Sequence, residues 1–197
     1  MTKSNEKISA RDKILVSAAK IFAKQSFDGA RVDEIAKEAG VPKSLIYYHF
    51  KSKDEIFTVL TNDFLEKYKE IITKTKETEH SYDGEHMKVR MQNTYYPFGM
   101  QNENIVRATL IESIKKTNNC TVFFKMVQCL EDTDEDLTKE QKEHLIAEFF
   151  FNILPCMAYL CFSDSWIEFF GMKKADFDEM FLKQYNEMHG RYHKKRE

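Results

Sequence analysis

The chain has 197 residues, 42% hydrophobic, 13% aromatic and 31% charged, with a formal net charge of −2. This composition excludes a disordered chain and supports a sizeable core, in one domain or in a small domain beside a larger one. Six Gly and three Pro are few for the length and predict long helices with few tight turns.

No stretch approaches the roughly 18 consecutive apolar residues that a membrane-spanning helix needs. The N-terminal segment MTKSNEKISARDK lacks the apolar run of a secretory signal. A cytoplasmic location is therefore expected. The four cysteines, Cys120, Cys129, Cys156 and Cys161, form no CxxC pair and read as reduced thiols. Charge is unevenly spread. Residues 1–53 hold eleven Lys/Arg against six Asp/Glu, a net of +5, and the remainder holds nineteen against twenty-six, a net of −7. A basic end on a mildly acidic chain points to a nucleic-acid partner, because counterion release depends on local charge.

Taken in order, the first nine residues form a polar arm, and a helix is predicted from about Ala10 to Ser26, with Ser9 as its N-cap and Ile14, Leu15, Ala18, Ile21 and Phe22 at helical spacing. Phe27-Asp28-Gly29 ends it, with Gly29 available for a left-handed turn. A second helix over about 33–39 buries Ile35, Ala36 and Ala39 and stops at Gly40. A third, over about 43–49, buries Leu45 or Ile46 together with Phe50. After Ser52, a good N-cap, a long helix runs to about residue 77, roughly 35 Å at 1.5 Å per residue. Its stripe is Phe57, Leu60, Phe64, Tyr68 and Ile71. Residues 78–84 read as a loop, and a helix over about 85–96 is expected to break at Pro97 and Gly99. Helices follow over about 103–117 and 120–131, then the acidic loop 131–136. An apolar helix over about 138–163 precedes a break at Gly171, and a final helix spans about 174–192. No strand is expected.

The most informative segment is 33–53, DEIAKEAGVPKSLIYYHFKSK. Two short helices joined by a turn at Gly40-Val41-Pro42, the second bearing cationic and aromatic donors, match a helix-turn-helix DNA reader. Lys43 and Ser44 lie at the start of the third helix, where base edges are met. Lys43 suits guanine acceptors and Ser44 is permissive. Tyr47, Tyr48, His49 and Lys53 are placed to donate to phosphates.

Residues 12–57 resemble the DNA-binding domain of the TetR family of bacterial transcriptional regulators. The resemblance is carried by Ala18-Ala19 with Phe22, by Phe27-Asp28-Gly29, by Ile35-Ala36 with Ala39-Gly40-Val41, by the run from Lys43 to Phe50, and by Lys53 with Phe57. It implies phosphate contacts from Tyr47 and Lys53 and base reading from Lys43 and Ser44. The full expected DNA-contacting set is Arg31, Lys43, Ser44, Leu45, Tyr47, Tyr48, His49 and Lys53. Two positions depart from the family pattern. Arg31 stands where Thr or Ser is usual and would reach a phosphate with its guanidinium. Asp33 stands where a basic or polar residue is common, suits a helix start and repels phosphate, so no DNA contact is expected from it. Glu34 is placed to reach back as half of a capping box.

The resemblance also implies an all-α fold, with an N-terminal three-helix helix-turn-helix domain (1–52) joined by a long helix to a larger helical ligand-binding and dimerisation domain (53–197). Homodimerisation through the last two long helices is expected; packing of those stripes within one chain is the alternative. A pocket lined by Tyr95, Tyr96, Phe98, Phe123, Phe124, Phe150, Tyr159 and Trp166 would take a small apolar or amphipathic ligand. A carboxylate of Glu112 or Glu148 turned into it would favour a cationic one. No cofactor and no metal is expected, since His189 with His193, and His80 with Glu85 and His86, lack a convincing ligand set. The expected function is that of a ligand-released repressor bound to a near-palindromic operator as a dimer. Its rivals are a DNA binder governed by a protein partner or by nothing, and a helical enzyme or binding module. For the last the chain offers no nucleophile elbow, phosphate loop or HExxH.

Overall fold

The computed structural model describes residues 8–78, 91–115, 121–130 and 136–193. Among these, every regular element is helical. The first four are α1 (Ala10–Gly29), α2 (Val32–Ala39), α3 (Lys43–His49) and α4 (Lys53–Thr78). A π-helical turn, Met91–Tyr95, leads into α5 (Tyr96–Gln101), followed by α6 (Glu103–Lys115) and α7 (Thr121–Gln128). Then come α8 (Lys139–Glu148), a second π turn at Phe149–Ile153, α9 (Leu154–Phe170) and α10 (Lys174–His193).

The N-terminal helices start and stop where the local chemistry directs. Ser9 Oγ accepts the Asp12 N–H at 3.1 Å and caps α1. Glu34 Oε2 accepts the Arg31 N–H at 3.2 Å while the Glu34 N–H donates to the Arg31 carbonyl at 3.0 Å, closing the start of α2. Gly40, at φ 65°, ends α2 in the left-handed conformation, with the Val41 N–H on the Ala36 carbonyl at 3.0 Å. Ser52 Oγ accepts the Glu55 N–H at 3.1 Å and caps α4.

One turn differs from expectation. The left-handed residue at the end of α1 is Ser26, at φ 63° and ψ 168°, and not Gly29, whose φ is not positive. The helix thus breaks at Ser26, and residues 27–29 form one more turn before α2. A side chain at this φ/ψ is strained, so the surrounding contacts must hold the corner.

The first core joins Ile14, Ala18 and Phe22 of α1 to Ile35 of α2, Ile46 of α3 and Phe50, and it also takes Ile56 from α4 and Ala108 from α6. The Phe22, Phe27 and Phe57 rings meet at centroid separations of 5.3–5.6 Å. Phe22 is fully buried and Phe27 and Phe57 partly so; full burial of such a side chain stabilises the fold by about 1.5–3 kcal/mol relative to exposure. The second core draws Phe64, Leu65, Tyr68 and Ile72 from α4, Val106 from α6, Phe123 and Met126 from α7, and Met157, Tyr159 and Leu160 from α9. Helices α4 and α6 enter both cores, and α1 lies along α6.

Three further expectations are corrected. Pro97 and Gly99 do not break a helix: the π turn Met91–Tyr95 runs straight into α5, Pro97 follows just after it, and Gly99 is buried inside α5. The apolar helix expected to end near 163 runs to Phe170, interrupted by the π turn just before Pro155, and ends at Gly171 in the left-handed conformation, at φ 63°. The continuous helical stretch Lys139–Phe170 is 32 residues long and, by length and composition alone, is apolar enough to cross a membrane, contrary to the reading of the bare sequence. Its Met157, Tyr159 and Leu160 are instead packed into the second core. Cys120, His80, Glu85, His86 and the side chains of His189 and His193 lie outside the described residues.

Candidate nucleic-acid interface and cavity

A seven-residue helix has no stability of its own, so α3 is held from one side. Ile46 and Phe50 are almost fully buried, and Leu45 is half-buried beside them. That anchoring turns Lys43, Ser44, Tyr47 and Tyr48 outward, with Tyr47 52% and Tyr48 81% exposed. His49 is half-buried, its ring meeting Tyr48 edge-on at 5.0 Å. Arg31 is exposed at the start of α2. Two large phenols left in water on a short helix, next to a lysine and a serine, form a donor-rich face of the width a major groove admits.

Lys43 does not stand alone. Its Nζ lies 2.9 Å from Asp33 Oδ1 and 3.1 Å from Oδ2, bridging the starts of α3 and α2. The hydrogen bond to Asp33 holds the ammonium above its usual pKa. Lys53 is placed differently from a phosphate-seeking side chain. Its Nζ donates to the carbonyls of Phe27 (2.6 Å), Ala30 (2.9 Å) and Asp28 (3.4 Å), and sits 4.5 Å from the centroid of the Phe27 ring. It therefore ties the first turn of α4 to the corner that follows Ser26.

A cavity of about 60 Å³ lies in the second core. Phe64, Tyr68, Tyr95 and Phe98 supply its aromatic walls, and Glu148, Asn152 and Cys156 its polar groups. The Phe64 and Phe98 rings stack at 5.3 Å. Asn152 Nδ2 donates to Glu148 Oε2 at 2.7 Å, His144 Nε2 is 3.3 Å from Oε1, and the Tyr185 hydroxyl donates to Asn152 Oδ1. Burial pushes the Tyr68 phenol well above its usual pKa and the Cys156 thiol up to about 12, so both stay neutral. Of the eight residues expected around a pocket, Tyr95 and Phe98 line this one. Phe123 is core, while Phe124, Phe150 and Trp166 are about half exposed.

Tyr96 and Tyr159 belong to a separate network. The Tyr159 hydroxyl donates to Asp178 Oδ1 at 2.5 Å and accepts from Lys174 Nζ at 2.9 Å, with Tyr96 Oη 3.4 Å away. Glu148, Asn152 and Cys156 share one face at i, i+4 and i+8, a spacing visible in the sequence, but nothing there says which face meets the cavity. Glu112 points elsewhere: its Oε1 accepts the Phe27 N–H at 3.2 Å, across to the reader.

A short helix anchored on one side and bare on the other, joined by a tight turn to α2 and carried on a larger helical body, has the arrangement of a helix-turn-helix module. Residues 14–60 match the family model described as bacterial regulatory proteins, tetR family. Over 72 residues the chain is 42% identical to the probable HTH-type transcriptional regulator YttP of Bacillus subtilis, covering 36% of this chain and 33% of that one. Over 74 residues it is 27% identical to the biofilm operon icaADBC HTH-type negative transcriptional regulator IcaR of Staphylococcus epidermidis, covering 38% and 40%. The matched stretch thus spans well under half the length of either relative. Over nearly the whole chain, the fold matches a TetR-like transcriptional regulator from Rhodococcus sp. RHA1 (TM-score 0.59, 13% identity, 94% of this chain and 96% of that one). It also matches a transcriptional regulator from Aquifex aeolicus VF5 (TM-score 0.55, 18% identity, 91% and 96%). Residues 14–60 are thus similar to the DNA-binding segment of bacterial regulatory proteins of the tetR family, and the whole chain shares its fold with TetR-like regulators.

Proposed function

We propose that the protein is a ligand-released transcriptional repressor that binds a near-palindromic operator as a homodimer, with residues 1–52 as the reader and 53–197 as the ligand-binding and dimerisation domain. The observation that carries this reading is the outward set Lys43, Ser44, Tyr47 and Tyr48 on a helix whose opposite face is buried. Repression is favoured because IcaR, one of the relatives, is named a negative regulator.

Dimerisation is favoured by the apolar side chains left in water on the last two helices. Phe162, Trp166, Phe169 and Phe170 of α9, with Met180 and Met188 of α10, are all exposed, and a patch of this kind marks an association surface. An isologous pairing of α9 and α10 would cover it on both copies and present two α3 helices to two half-sites. Ligand control is favoured by the cavity between α4, α5, α6, α7 and α9. A molecule with an apolar body and a polar end meeting Glu148 suits its lining, and spreading α4 from α6 would tilt the reader.

The test is binding of the full-length protein to a selected duplex, by mobility shift across a salt series. Tyr47→Ala is expected to weaken binding about tenfold and to lower the salt dependence, and Phe169→Glu to give monomers in sedimentation together with weaker operator binding. Unchanged binding and unchanged mass in both variants would overturn the reading.

A further inference from the structure

Asp33 and Lys43 form an ion pair that fold stability does not account for. Their side chains are 68% and 49% exposed, and a pair so open to solvent contributes little. Nor does Asp33 serve as a helix cap. The neighbouring acid, Glu34, does that on the Arg31 N–H. Asp33 instead reaches across the helix-turn-helix to Lys43, with both carboxylate oxygens within 3.1 Å of Nζ. A carboxylate held on a face that approaches DNA repels every phosphate. It gains only where the duplex offers a hydrogen-bond donor, and in the major groove those donors are the N4 amine of cytosine and the N6 amine of adenine.

We infer that Asp33 and Lys43 act as one composite reader of a single G·C base pair, Lys43 donating to guanine and Asp33 accepting from the cytosine N4 amine. This rests on the assignment of α3 as the recognition helix. Guanine O6 and cytosine N4 are hydrogen-bonded to each other across the pair, so they stand about 2.9 Å apart. The ammonium and the carboxylate are preset at 2.9 Å, donor beside acceptor, the mirror of that edge. The same pair set on an A·T edge in this orientation is mismatched at both ends. The ammonium meets the N6 donor of adenine, and the carboxylate meets the O4 acceptor and methyl of thymine. Lys43 alone would favour guanine; Asp33 adds selection on the opposite strand and keeps Lys43 from settling on a phosphate.

The experiment starts from duplexes selected by the full-length protein from a randomised library, and compares binding of the recovered half-site and its single-base-pair variants. Wild type, Lys43→Met and Asp33→Ala are measured side by side, with thermal unfolding as the fold control. At one and the same G·C pair, both variants are expected to lose about tenfold in discrimination against A·T. On random-sequence duplex, Asp33→Ala is expected to bind more tightly with a steeper salt dependence, and Lys43→Met more weakly with a shallower one. Asp33→Asn, which keeps the side-chain volume and replaces one oxygen with an amide donor, is expected to shift the preference toward adenine. Full G·C discrimination in Asp33→Ala, or relaxation at a different base pair from Lys43→Met, overturns the composite reader while leaving α3 as the recognition helix. A wild-type protein that enriches no sequence overturns that assignment itself and the composite reader with it.

Discussion

Lys53 shows how a single side chain can look like one thing in the sequence and serve another in the fold. Its place at the start of α4, beside the reader, is legible from Ser52 and the helical stripe that follows, and a lysine there reads naturally as a phosphate contact. The three carbonyls that receive its ammonium, those of Phe27, Asp28 and Ala30, lie more than twenty residues earlier. They converge only because Ser26 turns the chain in a strained conformation that no residue-type rule assigns to serine. Hydrogen bonds to a charged group are worth about 1.5–3 kcal/mol when shielded, and partial exposure discounts this. Lys53→Met is therefore expected to destabilise the free protein by about 1–2 kcal/mol, read as a lower denaturation midpoint without DNA. An unchanged midpoint, with only a shallower salt dependence of operator binding, would return Lys53 to the role of a plain phosphate contact.

At the scale of elements, the helices that follow a strong local signal fall where the sequence puts them. The α2 and α3 boundaries come from Gly40, Pro42 and a buried face of two or three residues, all within one short stretch. The failures come from reading Pro and Gly as breakers. Pro97 follows directly on the π turn Met91–Tyr95, and the helical run continues through it. Gly99 leaves space for α9: a Cβ on it would stand 2.7 Å from Leu160 Cδ1, so α5 could keep this approach with a Cβ only if Leu160 shifted. Periodicity along one helix carries no information about how closely another approaches. Gly99→Ala gains helix propensity worth about 1 kcal/mol but forces Leu160 aside, at a typical overpacking cost of about 1–3 kcal/mol. A net loss of about 1 kcal/mol is expected in chemical denaturation. Leu160 also lines the cavity, so the variant is expected to bind any cavity ligand more weakly. A more stable variant would mean that Leu160 yields freely and that the close approach is incidental.

For the molecule as a whole, the reader was legible because its chemistry is local, whereas the cavity was not because it is assembled from afar. Phe64 meets Phe98, and Glu148 faces the same space as Tyr68, across separations that no pattern along the chain encodes. The same holds for the joint between the two cores. Glu112 was a candidate pocket acid, yet its buried carboxylate turns to the corner where α1 hands over to α2. There Oε1 accepts the Phe27 N–H at 3.2 Å and lies 3.4 Å from Lys115 Nζ, which is itself 3.8 Å from Asp28. Helix α6, which carries Glu112, also gives Val106 to the cavity wall. A displacement of α6 at the cavity would therefore reach the N-terminal helices through a polar clamp as well as through apolar packing on α1. Removing the acceptor in Glu112→Ala is expected to cost about 2 kcal/mol, in the range for a charge-assisted bond in a buried site. Because the clamp is local, the loss should concentrate at the corner. Amide hydrogen exchange at residues 27–30 is expected to accelerate at least tenfold, while exchange in α9 stays near its wild-type rate. Glu112→Gln, which keeps an oxygen acceptor in nearly the same volume, is expected to recover most of the protection. Wild-type exchange at the corner in Glu112→Ala would show that packing of α1 on α6 holds the two parts together without the carboxylate.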